Sequence, residues 1–249
     1  MMVRAVDRSI AIMEALKEDV QGLSELSRTI NLSKATLLRI LNTLIVHEYV
    51  IYNKETHKYD LGIKLLKMGM AVSERLDIKH VASPYLTHIW NISEETVYLN
   101  IRNGDERLCI DCLNGKKGVR VVAYAGHSSP LHVAASGKAI LAFLDQHEIE
   151  DYLKRVRLDK VAPGTITGID ALRDNLAKTV EQGYATSFEE RMPDAKGASG
   201  PIRDITGQIM ASISITAPNS RTDEEFALYI RLVTKAAREI SKKLGSSRQ

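Results

Sequence analysis

The sequence predicts an α+β protein: an N-terminal winged helix-turn-helix, a linker helix, and a C-terminal domain with a largely antiparallel sheet flanked by helices. Three observations carry this. Short helical patterns joined by a tight turn fill the first stretch, a basic two-stranded hairpin follows, and from Asp77 onward hairpin-linked strands alternate with amphipathic helices. The 249 residues suit two modest domains, and 44% hydrophobic with 26% charged residues is the balance of a chain that buries real cores. A net charge of +3 is too small to argue for nucleic acid by bulk charge, but a basic face balanced by acid elsewhere is compatible with it. Two cysteines exclude a disulfide framework and fit a reducing compartment. No apolar window approaches the about 18 residues of a membrane span. Asp7 and Glu14 break up Met1–Ala15, so no secretory signal is expected there. A soluble cytoplasmic protein without membrane contact is expected.

Residues 1–62 form the first expected domain. Ala5, Ile10, Ile12, Met13 and Leu16 make a helical stripe. Ser24 is the expected N-cap of a short helix over 25–30, with Glu25 in its first turn. Asn31 tolerates the left-handed conformation that stops a helix abruptly, and Ser33 caps the next helix, 34–47. Two helices joined so tightly form a helix-turn-helix. In the second, Leu37, Leu38, Ile40, Leu41, Leu44 and Ile45 share an apolar face. Opposite lie Ala35, Thr36, Arg39, Asn42 and Thr43, with Lys34 in the first turn. Small and hydrogen-bonding side chains plus one Arg suit a major groove, although such a face can also be plain solvated surface. Strands at 49–52 and 59–61 flank a polar tip with Lys54, His57 and Lys58. Residues 33–67 hold six Lys/Arg against three acids, positive charge where phosphates would lie.

Residues 63–76 predict a linker helix carrying Leu65, Leu66, Met68, Met70 and Val72, with Gly62 and Gly69 as bending points. Residues 77–249 are the second domain. Helices are expected at 78–92, 134–144, 146–156, 170–182 and 222–244. Strands are expected at 96–102, 107–113, 118–124, 184–189, 198–204 and 208–216.

Three stretches resemble the IclR family of bacterial transcriptional regulators over essentially the full length. They are Gly22–Leu26 through Asn31–Thr36 to Arg39–Leu41; Gly126–His132 running into Ala135–Ala139, with its PLH and GKA signatures; and Gly183–Ala185, Glu189–Glu190, Pro201–Asp204 and Ser212–Ile215. The resemblance implies a GAF-like effector domain and a homodimer or dimer of dimers on near-palindromic double-stranded operator DNA. Arg39, Ala35, Thr36, Asn42 and Thr43 would then meet base edges, and Ser24, Ser33, Lys34, Lys54 and Lys58 phosphates. It also implies an effector pocket with Ala135, Ser136, Gly137, Ser187, Gly197, Ser214 and Thr216. Ser187–Phe188 and Asp194–Ala198 depart from the family pattern where the ligand should sit.

The free N–H groups at a helix start over 135–137 would take a small carboxylate effector, and no arginine is placed inside the pocket. Ser212, Ser214 and Thr216 alternate with Ile213 and Ile215, giving one hydroxyl face that meets either solvent or ligand. Gly137-Lys138 is no phosphate loop, because His132 stands where the first Gly is needed and Ala139 replaces the metal-binding hydroxyl. Cys109 and Cys112 form a lone CxxC whose members should point to opposite faces of a strand, so no metal is expected. No cofactor and no catalytic residue are expected. The alternative is a small-molecule-binding protein or hydrolase whose helix-turn-helix is an interaction surface, though no GxSxG elbow supports it.

Overall fold

In the computed structural model residues 3–74 and 77–246 are described, and the chain divides into two compact units, Met1–Leu76 and Asp77–Gln249. Residues 75 and 76 of the expected linker helix lie outside the described residues, as do Met1, Met2 and residues 247–249; so does the side chain of Val72.

The first unit runs α1 (Arg4–Glu18), β1 (Gln21–Gly22), α2 (Leu23–Thr29), α3 (Lys34–Val46), β2 (Val50–Asn53), β3 (Lys58–Leu61) and α4 (Ile63–Glu74). Ile12 and Leu16 from α1, Leu26 from α2, Leu37, Leu41 and Leu44 from α3, Val50 and Tyr59 build its core. Leu38, expected on the apolar face, is exposed because it lies at the edge of that stripe. Asn31 adopts φ +50°, the left-handed stop between α2 and α3. Ser33 caps α3 as expected, its Oγ accepting the Thr36 N–H at 3.4 Å. Ser24 does not cap α2. The helix starts two residues earlier, after Gly22, whose N–H donates to the Glu25 carboxylate at 2.8 Å. The two-residue strand β1 pairs with β3 to give the order β1-β3-β2, too short a segment to show in the sequence.

Helix α4 continues unbroken through Gly69. Gly62 is required for close approach: a Cβ there would lie 2.0 Å from the Glu48 carbonyl oxygen.

The second unit runs α5 (Asp77–Ser93), β4 (Thr96–Asn103), β5 (Glu106–Leu113), β6 (Ser128–Pro130), α6 (Ala134–Leu141), α7 (Gln146–Arg155), α8 (Ile169–Gln182), β7 (Ala185–Phe188), β8 (Ala195–Arg203), β9 (Ile209–Pro218) and α9 (Asp223–Lys243). Its strands form one antiparallel sheet in the order β6-β5-β4-β9-β8-β7. One face carries Val97, Leu99, Ile213 and Ile215 and packs on α5 and α9. There Gly200 allows α9 to come close, since a Cβ would lie 2.6 Å from the Val233 carbonyl oxygen. The other face meets α6, which in turn packs on α7 and α8 through Leu131, Ile140, Leu141, Tyr152, Leu153, Leu172 and Leu176.

The strand expected at 118–124 does not form. Residues 114–127 make an irregular crossing whose backbone is satisfied piecemeal, for example by the Asn114 side chain bonding both the N–H and the carbonyl of Ala123 at 2.9 and 3.1 Å. Pairing starts later, at β6. A bulge between β4 and β5 pairs Asn100 with Cys109 and Leu99 with Asp111, leaving Ile110 as the extra residue. This shifts the alternation by one, so Cys109 and Cys112 share a face and pack together with Tyr98 and Ala123. The opposite-face expectation is therefore corrected.

Candidate functional site

In the first unit, α3 presents Lys34, Ala35, Arg39, Asn42 and Thr43 exposed on one face, with Thr36 half-buried at its start. Thr36 is held by Ser33, the two hydroxyls lying 3.0 Å apart, and the Thr43 hydroxyl bonds back to the Arg39 carbonyl at 3.1 Å. Among the described residues nothing pairs with the side chains of Lys34, Arg39 or Asn42, so they are available to another molecule. Lys54 lies in the β2–β3 turn and Lys58 opens β3, both exposed. Ser24 is exposed on α2, within the helix rather than at its cap.

In the second unit, the sheet face toward α6 is polar and buried. Asn100 Nδ2 reaches the hydroxyls of Ser212 and Ser214, both at 3.4 Å. Ser214 and Ser199 bond each other at 2.8 Å, and the Ser212 hydroxyl donates to the Ser136 carbonyl at 2.9 Å. The Ser212 and Ser214 hydroxyls thus meet neither water nor open space; the sheet and α6 occupy them. Beyond them the Tyr98 and Thr216 hydroxyls pair at 2.6 Å. Here a narrow hollow opens, walled by Tyr98, Ala123, Ala134, Ser187, Arg191 and Thr216 among others.

Of the seven residues expected at the effector, Ser187 and Thr216 line this hollow. Gly197 lies just behind, its missing Cβ only 3.1 Å from the Ser187 hydroxyl. Ala135, Ser136, Gly137 and Ser214 sit one layer deeper. Gly137 has a packing reason to be glycine: a Cβ would lie 2.5 Å from the Leu131 carbonyl oxygen.

The start of α6 is already taken. Glu190 accepts the Ala134 N–H at 3.1 Å through one carboxylate oxygen and binds Lys138 Nζ at 2.5 Å through the other. Burial drives the Lys138 ammonium below its ordinary range and the Glu190 carboxyl above its own, each opposed by the other's charge. The protein's own carboxylate thus takes the first N–H of α6, next to the 135–137 groups expected as the carboxylate site.

The absence of arginine from this region is also corrected. Arg107 lies fully buried on the same sheet face, its Nη1 donating to Asn100 Oδ1 at 3.2 Å and to the His127 carbonyl at 3.4 Å. Arg191 contacts the His127 ring at 3.1 Å. Burial, then Arg191 and Arg107, push the His127 imidazole below its ordinary value. Trp90 donates its indole N–H to the Asn114 carbonyl at 2.7 Å and lies 3.8 Å under the Lys116 ammonium, so it touches the 114–127 crossing.

The architecture, a helix-turn-helix unit followed by a sheet domain with a hollow beside its polar face, is that of a ligand-sensing DNA-binding regulator. The family model of the bacterial transcriptional regulator IclR C-terminal domain matches residues 70–242, and that of the IclR helix-turn-helix domain matches residues 5–53. The chain belongs to the IclR family of transcriptional regulators. It is 30% identical over 247 residues to the Escherichia coli HTH-type transcriptional regulator XynR, covering 98% of each chain. Among solved structures it is similar to the Thermotoga maritima IclR, with a TM-score of 0.79, 30% identity and coverage of 97% and 99%. It is also similar to an IclR homologue from Microbacterium hydrocarbonoxydans complexed with 4-hydroxybenzoate, with a TM-score of 0.84, 25% identity and coverage of 96% and 98%. Among the described residues no helix is long and apolar enough to cross a membrane.

Proposed function

We propose that this regulator binds a near-palindromic operator through α3 and the β2–β3 wing, and that a small carboxylate held in the Asp77–Gln249 unit controls that binding. The observation that carries the DNA half is the exposed, unpaired row Lys34, Arg39 and Asn42 on a helix whose opposite face is the core of its domain. Such a helix is rigidly held yet offers donors outward, as base-edge recognition requires. The effector half is supported by the hollow beside the buried polar sheet face and by the carboxylate bound to the Microbacterium relative. A bound effector alters DNA affinity only by favouring one of two arrangements of the chain.

One short helix reads few base pairs, so two copies are needed for a specific site. Val3 just before α1, Val6 and Ile10 of α1 and Ile63, Leu66 and Met70 of α4 leave apolar surface exposed, which supports a homodimer or a dimer of dimers. Light scattering of the intact protein is expected to give at least a dimer.

The test is DNA binding to the region upstream of its own gene. Arg39→Ala is expected to weaken specific binding by about 1–3 kcal/mol and to relax sequence preference. Lys58→Ala is expected to weaken specific and scrambled DNA alike and to flatten the salt dependence by about one phosphate contact. Wild type binding both DNAs equally, with Arg39→Ala unchanged, would remove the reading role of α3.

A further inference from the structure

Arg107 is among the largest fully buried side chains, 1% exposed, and it has no acidic partner within ion-pair distance among the described residues. Its Nη1 is satisfied by two neutral oxygens, but Nε and Nη2 have no partner at all. A guanidinium keeps its proton in proteins, so this is a buried cation without a counter-ion, a costly arrangement in a folded chain. Burial disfavours the charge most, and Arg191 adds to this while Tyr98 and Glu106 act against it.

Two further buried hydroxyls are orphaned, one opposite it in the sheet and one tied to it through a chain of hydrogen bonds. Ser129 lies directly across from Arg107 in the β5–β6 register, and its buried hydroxyl is unpartnered. Ser136 on α6 is linked to the same guanidinium through its carbonyl, Ser212 and Asn100, and its hydroxyl is unpartnered as well. Nε and Nη2 form the edge of arginine that matches the two oxygens of a carboxylate. The Glu190 carboxylate cannot serve, since it is held by Lys138 and Ala134.

We propose that Arg107 anchors the effector's carboxylate, which docks on the Nε–Nη2 edge with the Ser129 and Ser136 hydroxyls completing its shell. The Tyr98 ring, 5.9 Å from the guanidinium carbon, leads from this anchor to the hollow bounded by Ser187 and Thr216, where the organic part of the acid lies. The proposal rests on the reading of this unit as the effector domain and adds to it the residue that selects for charge.

The experiment uses the full-length protein. Pyruvate, benzoate and 4-hydroxybenzoate, their amides, and inorganic phosphate are each tested at millimolar concentration by thermal melting and by Trp90 fluorescence. At least one acid is expected to stabilise the wild type, while its amide and phosphate are not. For that acid, Arg107→Met is expected to bind about 10- to 100-fold more weakly, and Arg107→Lys, which keeps the charge but loses the fork, to fall between. Should Arg107→Met fail to fold, Arg107→Lys and Ser129→Ala decide the matter by the same titration. Folded variants are expected to keep wild-type affinity for the upstream DNA without acid, and only its response to acid is lost. The proposal is overturned if no acid stabilises the wild type, if amide or phosphate acts as well as acid, or if the arginine variants bind the acid unchanged. In that last case, retained acid-responsive DNA binding leaves the regulator reading standing while this anchor falls.

Discussion

Lys138→Met is expected to lower the unfolding free energy by about 3–5 kcal/mol, the cost of leaving one member of a buried ion pair alone. Lys138 is fully buried, and its ammonium lies 2.5 Å from the Glu190 carboxylate. Without it, burial acts on Glu190, whose carboxyl is already raised, opposed only by the Ala134 N–H. A carboxyl with a raised folded value gives stability that is present below its unfolded value and lost as pH rises through the folded one. Urea unfolding of Lys138→Met is therefore expected to show rising stability as the buffer is made mildly acidic, more steeply than in the wild type. Lys138→Met/Glu190→Gln removes both charges and retains an acceptor for the Ala134 N–H, so it is expected to recover most of the loss. A double variant as unstable as the single would show that the ammonium itself, rather than the stranded carboxylate, carries the effect.

Gly137→Ala is expected to cost about 3 kcal/mol, the upper end of overpacking, because the added methyl meets the Leu131 backbone and neither α6 nor the buried turn before it can yield cheaply. Gly69→Ala, in the exposed middle of α4 with nothing within 4 Å, is expected to do the opposite and stabilise by about 0.5–1 kcal/mol. The same chemical change thus takes opposite signs in one chain. Equal effects at both positions, by chemical denaturation, would mean that helix propensity alone governs them.

The first unit was legible because its signals are local. Ser33 caps α3 and Asn31 turns the chain within a few residues of one another. The Ser24 error is equally local: the cap lies two residues before the expected one, where the Glu25 carboxylate takes the Gly22 N–H. The second unit's strands at 96–103 and 106–113 alternate plainly, yet the pocket was only partly visible. Arg107 alternates with Leu108 and Ile110, so period-two reasoning points it outward. Its burial depends on β6 and α6 covering that face, and on Asn100, which a sequence pattern does not bring to its side. Glu190 likewise reaches the start of α6 across more than fifty residues, which no spacing rule connects.

The strand order has a bearing on how the chain is made. β4 lies in the middle of the sheet beside β9, so the pairing of Thr96 with Thr216 joins the beginning of the second unit to its end. During synthesis the sheet stays open at its centre until the last segment emerges, while the helix-turn-helix unit, built from near-neighbour contacts, folds well before. The waiting β4 edge, apolar on one face, is then the stretch of nascent chain most exposed to wrong pairing. A chain stopped just before β9 would carry a finished DNA-binding head on an unfinished sensor.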